Sequence, residues 1–261
     1  MTGPSPTELQ ELRDIAVRAA GIAGDVIMPL YWSGTSIDLK ADGTPVTEAD
    51  RNAEEAMRHF LARECPGHSI LGEEFGETPG DGRFRWVLDP IDGTKAFTHH
   101  VPLFGTLVAL EYDGEPVVGV IACHAAGETA AAARGLGATI NDSPVTVSST
   151  TEYGDATVCI TSVQGMARYH PRAFDALNQD ANLVRTWGDC FGYLSVAAGR
   201  ADVMLDPVMN YWDVAALYPV ITEAGGHITT ITGEPGPGDS VVATNGALHD
   251  ATLDFLRRDS A

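Results

Sequence analysis

Apolar residues at the start of the chain recur at the spacing of amphipathic helices. From Leu9 to about Tyr31 they return every third or fourth residue and so share one face of a helix. Thr47-Glu-Ala-Asp50 has the Ser/Thr-x-x-acid form of a helix start, and apolar residues at helical spacing follow it as far as Phe60. Pro66-Gly67 then ends this helix. The pattern predicts a helix pair at the beginning of the chain.

The following segments have the short apolar runs and turn residues of an antiparallel sheet. Asp113-Gly114 stands between two such runs and is a strong β-hairpin signal. Residues 76–82 are rich in glycine and are predicted to form a loop. The strands and hairpins predicted in this half cover residues 68–73, 86–88, 103–112, 116–124 and 127–148.

After about residue 150 the pattern changes to an alternation of strands and helices. Strands are predicted at 156–162, 183–186, 202–205, 227–232 and 240–243, and helices at 171–179, 191–199, 213–224 and 248–257. No linker or repeat separates the two halves. We therefore predict one layered α/β (α+β) domain over residues 1–261, with a helix pair and antiparallel sheet in about 1–150 and a β/α part in about 151–261.

The charge balance restricts the kind of partner that the protein binds. Lys and Arg number 16 against 36 Asp and Glu, and the formal net charge is -20. Nucleic acids and anionic membranes need basic patches on the protein, so neither is expected as a partner. A small anionic substrate is compatible with this charge only if something other than the bulk charge attracts it. A bound cation would do so.

The composition indicates neither secretion nor membrane insertion. No apolar run approaches the roughly 18 residues of a membrane span, and the N-terminal Met-Thr-Gly-Pro-Ser-Pro lacks the basic and apolar regions of a signal peptide. The four cysteines lack the spacing of a zinc site. They could pair as disulfides, but scattered thiols in a reducing cytosol are the favoured interpretation. A cytoplasmic protein is expected.

Acidic residues stand at the ends of four apolar segments. They are Asp50 in the helix start, Glu73-Glu74 after Leu71-Gly72, Asp89 and Asp92 after Trp86–Leu88, and Asp213 after Trp212. A carboxylate at the end of a buried strand is costly unless it is paired or bound to a metal. Helix capping and turn formation are the alternative roles for these acids, but the chain has few lysines to neutralise the set. Oxygen ligands suit Mg²⁺ rather than zinc, so a magnesium site is the favoured interpretation.

The residues after Asp92 add a site for phosphate. Gly93 allows the backbone to approach a ligand closely, and Thr94-Lys95-Ala-Phe97 is predicted to open a helix. Free amide groups at the start of a helix bind phosphate oxygens, and the hydroxyl of Thr94 is placed to orient a water molecule. Carboxylates that bind a metal, next to a helix start, predict a phosphate held between cations and backbone amides.

Asp89-Pro-Ile-Asp-Gly-Thr94 resembles the signature of the inositol monophosphatase superfamily, the Mg²⁺-dependent, lithium-sensitive phosphatases. Other motifs of that family occur in the same order over nearly the whole chain. They are Val46-Thr-Glu-Ala-Asp50 after Lys40, Gly72-Glu-Glu74, Gly137 to Ser148, Trp212-Asp213 and Glu223-Ala-Gly-Gly226. The resemblance implies the family's fold, a sandwich of alternating helix and sheet layers, and hydrolysis of a phosphate monoester.

The resemblance also implies which residues hold two to three Mg²⁺ ions. Glu73, Asp89 and the carbonyl of Ile91 would bind the first ion. Asp89, Asp92 and Asp213 would bind the second, and Glu73 with water molecules a weaker third. Two such cations hold a phosphate and stabilise the attacking and leaving oxygens.

The attacking group implied by the resemblance is water. Glu73 and Thr94 would orient it, with Asp50 behind the threonine and Lys40 supporting the network of water molecules. The amides of Gly93 and Thr94 would bind the phosphoryl oxygens, next to Asp92.

Three segments resemble the histidinol-phosphatase branch of the family: Lys95-Ala-Phe97, Pro102–Leu107 and Arg185–Tyr193. Histidinol phosphate carries an ammonium and an imidazole, so its pocket needs anions. Asp189 and Asp206 are the predicted partners, although a helix cap and a strand-end turn are their alternative roles. Arg185 is predicted on the substrate side, where it would contact phosphate or an acid.

His99 and His100 follow the signature directly, and we interpret them as a pocket rim or an exposed pair rather than as metal ligands. Tyr193 is interpreted as a core residue.

Histidinol-phosphatase in histidine biosynthesis is the leading hypothesis, with a small phosphorylated metabolite as the partner. An inositol-1-phosphatase or broad sugar monophosphatase is the first alternative. A non-catalytic regulatory protein of the same fold is the second, but it would be expected to lack part of the metal set, and Glu73, Asp89, Asp92, Thr94 and Asp213 are all present. The resemblance further implies a homodimer.

Overall fold

Two long helices begin the fold, as predicted. The structure, a computed structural model, describes residues 3–33, 37–39, 45–80 and 82–259. Helix α1 spans Pro6–Ser33 and helix α2 spans Glu48–Glu64, with an antiparallel pair of short strands, β1 (Ile37–Leu39) and β2 (Pro45–Thr47), between them. Thr47 is the N-cap of α2 and forms a capping box with Asp50, which fixes where the helix begins.

An eight-stranded sheet follows in the order β10-β9-β8-β7-β6-β5-β3-β4. Its ladders are antiparallel except for β3 and β5, which run parallel. A short helix, α3 (Thr94–Thr98), follows β5. The strands are β3 (Ser69–Gly72), β4 (Gly76–Thr78), β5 (Phe84–Asp92), β6 (Gly105–Tyr112), β7 (Glu115–Cys123), β8 (Glu128–Ala133), β9 (Ala138–Ile140) and β10 (Ser143–Val145).

A five-stranded sheet forms the second half in the order β12-β11-β13-β15-β14. Its strands are β11 (Thr157–Ile160), β12 (Leu183–Arg185), β13 (Val203–Asp206), β14 (His227–Thr229) and β15 (Val241–Thr244). β11 is parallel to β12 and β13, whereas β15 is antiparallel to β13 and β14. The helices are α4 (Val163–Tyr169), α5 (Pro171–Asp180), α6 (Asp189–Ala197), α7 (Tyr211–Val214), α8 (Leu217–Glu223) and α9 (His249–Arg257).

The secondary structure differs in detail from the prediction. The glycine-rich loop at 76–82 contains strand β4, which pairs with the free edge of β3. The single helix predicted at 213–224 is divided into α7 and α8, since Pro219 has no N–H to donate to the carbonyl one turn earlier. Helix α4 was not predicted because it buries little apolar surface, with Met166 as its buried residue.

Helices and sheets alternate in layers, as predicted for the fold class. One apolar cluster joins α1 and α2 to one face of the large sheet, and a second joins the opposite face to α6, α8 and the small sheet. A third lies between the small sheet and the outer helices α5 and α9. Alternate residues of β5 divide between the layers: Trp86 and Leu88 face the α1–α2 side, and Val87 faces the middle layer.

Helix α1 is long and apolar enough to cross a membrane by length and composition, which the sequence pattern had not indicated. Its apolar face, which includes Leu12, Ala16 and Ala23, is buried in the cluster shared with α2 and the large sheet. This packing is that of a core helix.

The two glycines of α1 are expected to respond oppositely to alanine. Gly21 is exposed with open space around an added Cβ, so Gly21→Ala should stabilise the protein by about 0.5–1 kcal/mol. A Cβ at Gly24 would lie 2.5 Å from Nδ1 of His124. The other ring nitrogen of His124 lies 2.9 Å from the hydroxyl of Thr106, so the ring is held in place and Gly24→Ala should cost about 1–3 kcal/mol. Urea unfolding of both variants measures the difference; equal effects would contradict this packing.

Candidate active site

Asp89 and Asp92 lie at the C-terminal end of strand β5, beside the middle layer. Residues three apart in a regular strand point to opposite faces. Here the register between β5 and β6 shifts between Asp89 and Asp92, and the hydroxyl of Thr106 donates to the carbonyl of Pro90 at 2.8 Å. Gly93 then turns the chain into α3 with a φ of 85°, a value that favours glycine. The irregular strand end brings both carboxylates to one site.

Asp213 completes a cluster of three carboxylates. Oxygen atoms of Asp89, Asp92 and Asp213 all lie within 4.8 Å of one another. Asp89 is 2% exposed, and its Oδ1 is a buried atom without a hydrogen-bond partner among the described residues. A buried, unpartnered carboxylate oxygen facing two further carboxylates fits a hard cation that prefers oxygen ligands, such as Mg²⁺.

Burial raises the pKa of both β5 carboxyls well above the usual range. For Asp89 the neighbouring Glu73, Asp92 and Asp213 raise the pKa further, and for Asp92 the neighbours are Asp189 and Asp213. A carboxyl with a raised folded-state pKa costs stability as the pH rises above its unfolded-state pKa, and the cost is complete above the folded-state pKa, because the unfolded chain ionises more easily. A cation held by these carboxylates would offset this cost, and its binding would be accompanied by the release of protons.

Glu73 reaches Asp89 from the turn between β3 and β4. Its side chain is within hydrogen-bonding reach of the Asp89 carboxyl, and its amide donates to the carbonyl of Leu88 at 3.2 Å. The parallel pairing of β3 with β5 puts the ends of the two strands side by side. Residues 73 and 89 therefore meet although sixteen positions separate them.

A buried ion pair on α2 holds this turn and was not predicted. The carboxylate of Glu54 is fully buried and accepts from the amides of Glu74 and Phe75 at 2.7 and 3.3 Å. Arg58, one turn later, donates to Glu54 at 2.7 Å and to the carbonyl of Gly76. The sequence signal that could have indicated this ion pair is Glu54 next to the apolar face of a predicted helix, with Arg58 four residues later.

The hydroxyl of Thr94 donates to the carbonyl of Ile91 at 3.1 Å. Asp50, predicted to lie behind Thr94, accepts from the amide and the hydroxyl of Thr47 at 2.7 and 2.6 Å. Its pKa is raised to about 6 by burial, against the effect of these hydrogen bonds. These hydrogen bonds all end on Oδ2 and belong to the capping box of α2, and the position of Asp50 behind Thr94 stays a prediction. Lys40 lies outside the described residues.

Asp189 borders the phosphate segment. It lies at the first position of α6 with a φ of 49°, and its amide donates to the hydroxyl of Thr161 at 2.8 Å. A Cβ added to Gly93 would lie 3.1 Å from Oδ2 of Asp189. Burial raises the pKa of Asp189 to about 6, and the charge of Lys95 opposes this rise. The N-cap of α6 is Gly188, so Asp189 does not occupy the predicted capping position.

Asp206 lies at the end of β13 and belongs to the same polar network. Its Oδ2 accepts from Thr161 at 3.0 Å and from the hydroxyl of Tyr193 at 2.8 Å. Burial raises its pKa to about 7 against the effect of these two donors. Tyr193 is fully buried, as expected of a core residue. Thr161 therefore links Asp189 and Asp206, which the sequence pattern did not indicate.

Two predicted positions have other contacts. Arg185 is exposed, and its guanidinium donates to the carbonyl of Val184 at 2.8 Å, so no described contact brings it to the carboxylates. His99 is exposed with its Nδ1 2.8 Å from the carbonyl of Lys95, and the exposed His100 lies 5.4 Å from the ring of Tyr31. Both histidines are thus exposed residues, as interpreted from the sequence.

The four cysteines are free and buried. Cys123 and Cys190 approach each other with their sulfur atoms 3.9 Å apart. The prediction of scattered buried thiols agrees with this arrangement.

Residues 8–259 match the model of the inositol monophosphatase family. The chain belongs to this family. Two family relatives named histidinol-phosphatase are each 44% identical to it: one from Chlorobaculum parvum, over 90% of this chain and 92% of the relative, and one from Mycobacterium tuberculosis, over 84% and 87%. The solved structure of an inositol monophosphatase from Zymomonas mobilis superposes with a TM-score of 0.84 at 32% identity and covers 97% of this chain and 100% of that one. The predicted family, fold class and phosphoric monoester hydrolase activity are confirmed.

Proposed function

We propose that the protein is a Mg²⁺-dependent histidinol-phosphatase, which hydrolyses L-histidinol phosphate to L-histidinol and phosphate in histidine biosynthesis. The observation that carries the proposal is the pair Asp189 and Asp206, two acids beside the carboxylate cluster that are additional to the proposed metal ligands. The names of the two relatives at 44% identity support the same substrate.

The proposed metal ligands are Glu73, Asp89, Asp92, Asp213 and the carbonyl of Ile91. When bound there, the cations would neutralise the phosphate and stabilise charge on the attacking and leaving oxygens. Glu73 and Thr94 would hold the attacking water, and the amides of Gly93 and Thr94 would orient the phosphoryl oxygens. Cys190 donates its amide to Oδ2 of Asp92, which keeps that carboxylate directed at the cluster.

The proposed role of the two further acids is to bind the cationic end of the substrate. Their pKa values of about 6 and about 7 leave a neutral form accessible near neutral pH, which limits repulsion in the empty pocket. An ammonium that enters the pocket favours their ionised form and so gains a charge-assisted hydrogen bond. Inositol phosphate carries no cation and would gain no such bond.

Asp189→Asn is expected to lower kcat/KM for histidinol phosphate by roughly ten- to a hundredfold, since a hydrogen bond to a charged group contributes about 1.5–3 kcal/mol. A neutral-alcohol ester such as glycerol 2-phosphate should be affected much less. The measurement is phosphate release from each ester by wild type and variant, and the loss of kcat/KM for histidinol phosphate is compared with the loss for glycerol 2-phosphate.

Asp175→Asn, an exposed change on α5, is the matched control and should leave both rates unchanged. Equal losses for the two esters would mean that Asp189 shapes the whole site and does not bind the cation. If the wild-type protein preferred inositol 1-phosphate, the proposed substrate would be wrong and the protein would be an inositol-1-phosphatase.

Three further properties stay predictions. A count of two to three Mg²⁺ ions and a homodimer are predicted from the resemblance to the family, and a cytoplasmic location is predicted from the composition.

A further inference from the structure

Helix α7 carries Asp213 but is a single turn, Tyr211–Val214. Isolated helices of this length are not stable, so neighbouring structure must hold it. The amide of Asn210 donates to Oδ2 of Asp213 at 2.7 Å, and the amide of Ala215 donates to the carbonyl of Tyr211 at 3.0 Å. These local bonds define the shape of the turn but do not fix its place on the sheet.

A polar contact with the large sheet holds α7 in place. The hydroxyl of Tyr211 donates to the carboxylate of Glu111, which is fully buried. Arg85 donates to the other oxygen of Glu111 at 2.6 Å, and its guanidinium lies 5.5 Å from the centre of the Tyr211 ring. Arg85 and Glu111 are directly opposite each other on β5 and β6. Both oxygens of the buried carboxylate thus have donors, one from the sheet and one from α7.

Strand β5 carries both the anchor residue Arg85 and the cluster residue Asp89. Arg85 and Asp89 are four residues apart on β5, so their side chains share a face, with Val87 of the middle layer between them. At about 3.3 Å per residue the two positions are roughly 13 Å apart. Tyr211 lies at the Arg85 end and Asp213 at the Asp89 end. The strand therefore sets the distance between the anchor and the carboxylate cluster.

We propose that Tyr211, through Glu111 and Arg85, is a positioning residue that holds Asp213 against Asp89 and Asp92 before a cation binds. The inference rests on the proposed metal-dependent function. Three carboxylates this close repel one another, and Asp213 lies on the shortest helix of the site. Val214 also packs α7 into the middle apolar cluster, so without the anchor α7 stays on the sheet but Asp213 is held less firmly in the metal-free protein and must be ordered when the cation binds. The anchor therefore raises the affinity for the cation.

The test is Tyr211→Phe, which removes one hydroxyl. Isothermal calorimetry on EDTA-stripped protein should show Mg²⁺ binding weakened about three- to tenfold, which is less than the effect of losing a direct hydrogen bond to a charged group because Tyr211 acts through the position of Asp213. The Mg²⁺ concentration for half-maximal phosphate release should rise by the same factor. At saturating Mg²⁺, kcat should return close to the wild-type value, because the chemical groups are intact.

Tyr153→Phe is the matched control. Its hydroxyl is also hydrogen-bonded, to Thr252, but it packs in the outer layer against Phe255. It should lower the melting temperature without changing Mg²⁺ binding. Wild-type Mg²⁺ affinity in folded Tyr211→Phe, or equal weakening in Tyr153→Phe, would overturn the proposal.

The outcomes separate this inference from the proposed function. Wild-type protein that binds no Mg²⁺ would remove the metal site and the positioning role together. Protein that binds Mg²⁺ but does not hydrolyse histidinol phosphate would refute the substrate, while calorimetry would still decide the role of Tyr211.

Discussion

Asp92→Asn is expected to reduce phosphate release from histidinol phosphate by at least about a hundred- to a thousandfold, without unfolding the protein. Asp92 is the member of the carboxylate cluster next to Gly93 and Thr94, where the phosphate is proposed to bind. Removing one contact that stabilises developing charge costs roughly 10²–10³ in rate, and weakening a metal site should cost at least as much. Phosphate release with Mg²⁺ and with EDTA measures the loss.

Although Asp92→Asn should lose activity, its thermal stability without metal is expected to stay the same or to rise. In EDTA, Asp92→Asn should melt at or above the temperature of the wild type, because one of three closely spaced carboxyl groups is replaced by a neutral amide whose oxygen can still accept from Cys190. Mg²⁺ should raise the melting temperature of the wild type more than that of the variant. Undiminished turnover in EDTA, or in the variant, would refute the metal assignment.

Gly72→Ala is expected to produce the second largest effect, although glycine contributes no chemical group. A Cβ at Gly72 would lie 2.0 Å from Oε1 of Glu54. That carboxylate cannot move aside freely, since Arg58 and the amides of Glu74 and Phe75 all donate to it. We expect a loss of about 1–3 kcal/mol in the free energy of unfolding. Because the turn that carries Glu73 must shift, kcat should also fall about a hundredfold.

Gly154→Ala is the control for this substitution. An added Cβ at Gly154 meets nothing within 4 Å, and its backbone does not have a positive φ. Urea unfolding and phosphate release should both stay near wild type in this control. Wild-type turnover in Gly72→Ala would show that the position of the Glu73 turn does not depend on Glu54.

Local signals in the sequence predicted several elements correctly. The Thr47–Asp50 capping box marks the start of α2, Asp113-Gly114 joins β6 and β7, and the apolar period of α1 matches its buried face. Each of these features depends on residues that are close together in the sequence. The motif around Asp89 and Asp92 was equally visible, since both acids end one buried strand.

The hydrogen-bonding partners in the site were not predictable in the same way. Asp50 has the capping role that its motif predicts, whereas the motif of Thr94 does not indicate that its hydroxyl donates to the carbonyl of Ile91. Arg185 lies in a predicted strand, but that strand, β12, is at the edge of the small sheet and the side chain is exposed. A side chain's direction at the end of an element depends on its neighbours in space, which composition and period do not specify.

The sequence by itself determined the helix pair, the main hairpin, the acids at the strand ends and the family signature, because each is encoded within a short stretch. Only the tertiary structure decided that β3 lies parallel to β5, that Glu54 and Arg58 hold the Glu73 turn, and that Glu111 anchors the helix of Asp213. These contacts join residues 16 to 100 positions apart. They form because buried carboxylates need donors and sheet edges need partners, and folding brings the nearest suitable groups together from anywhere in the chain.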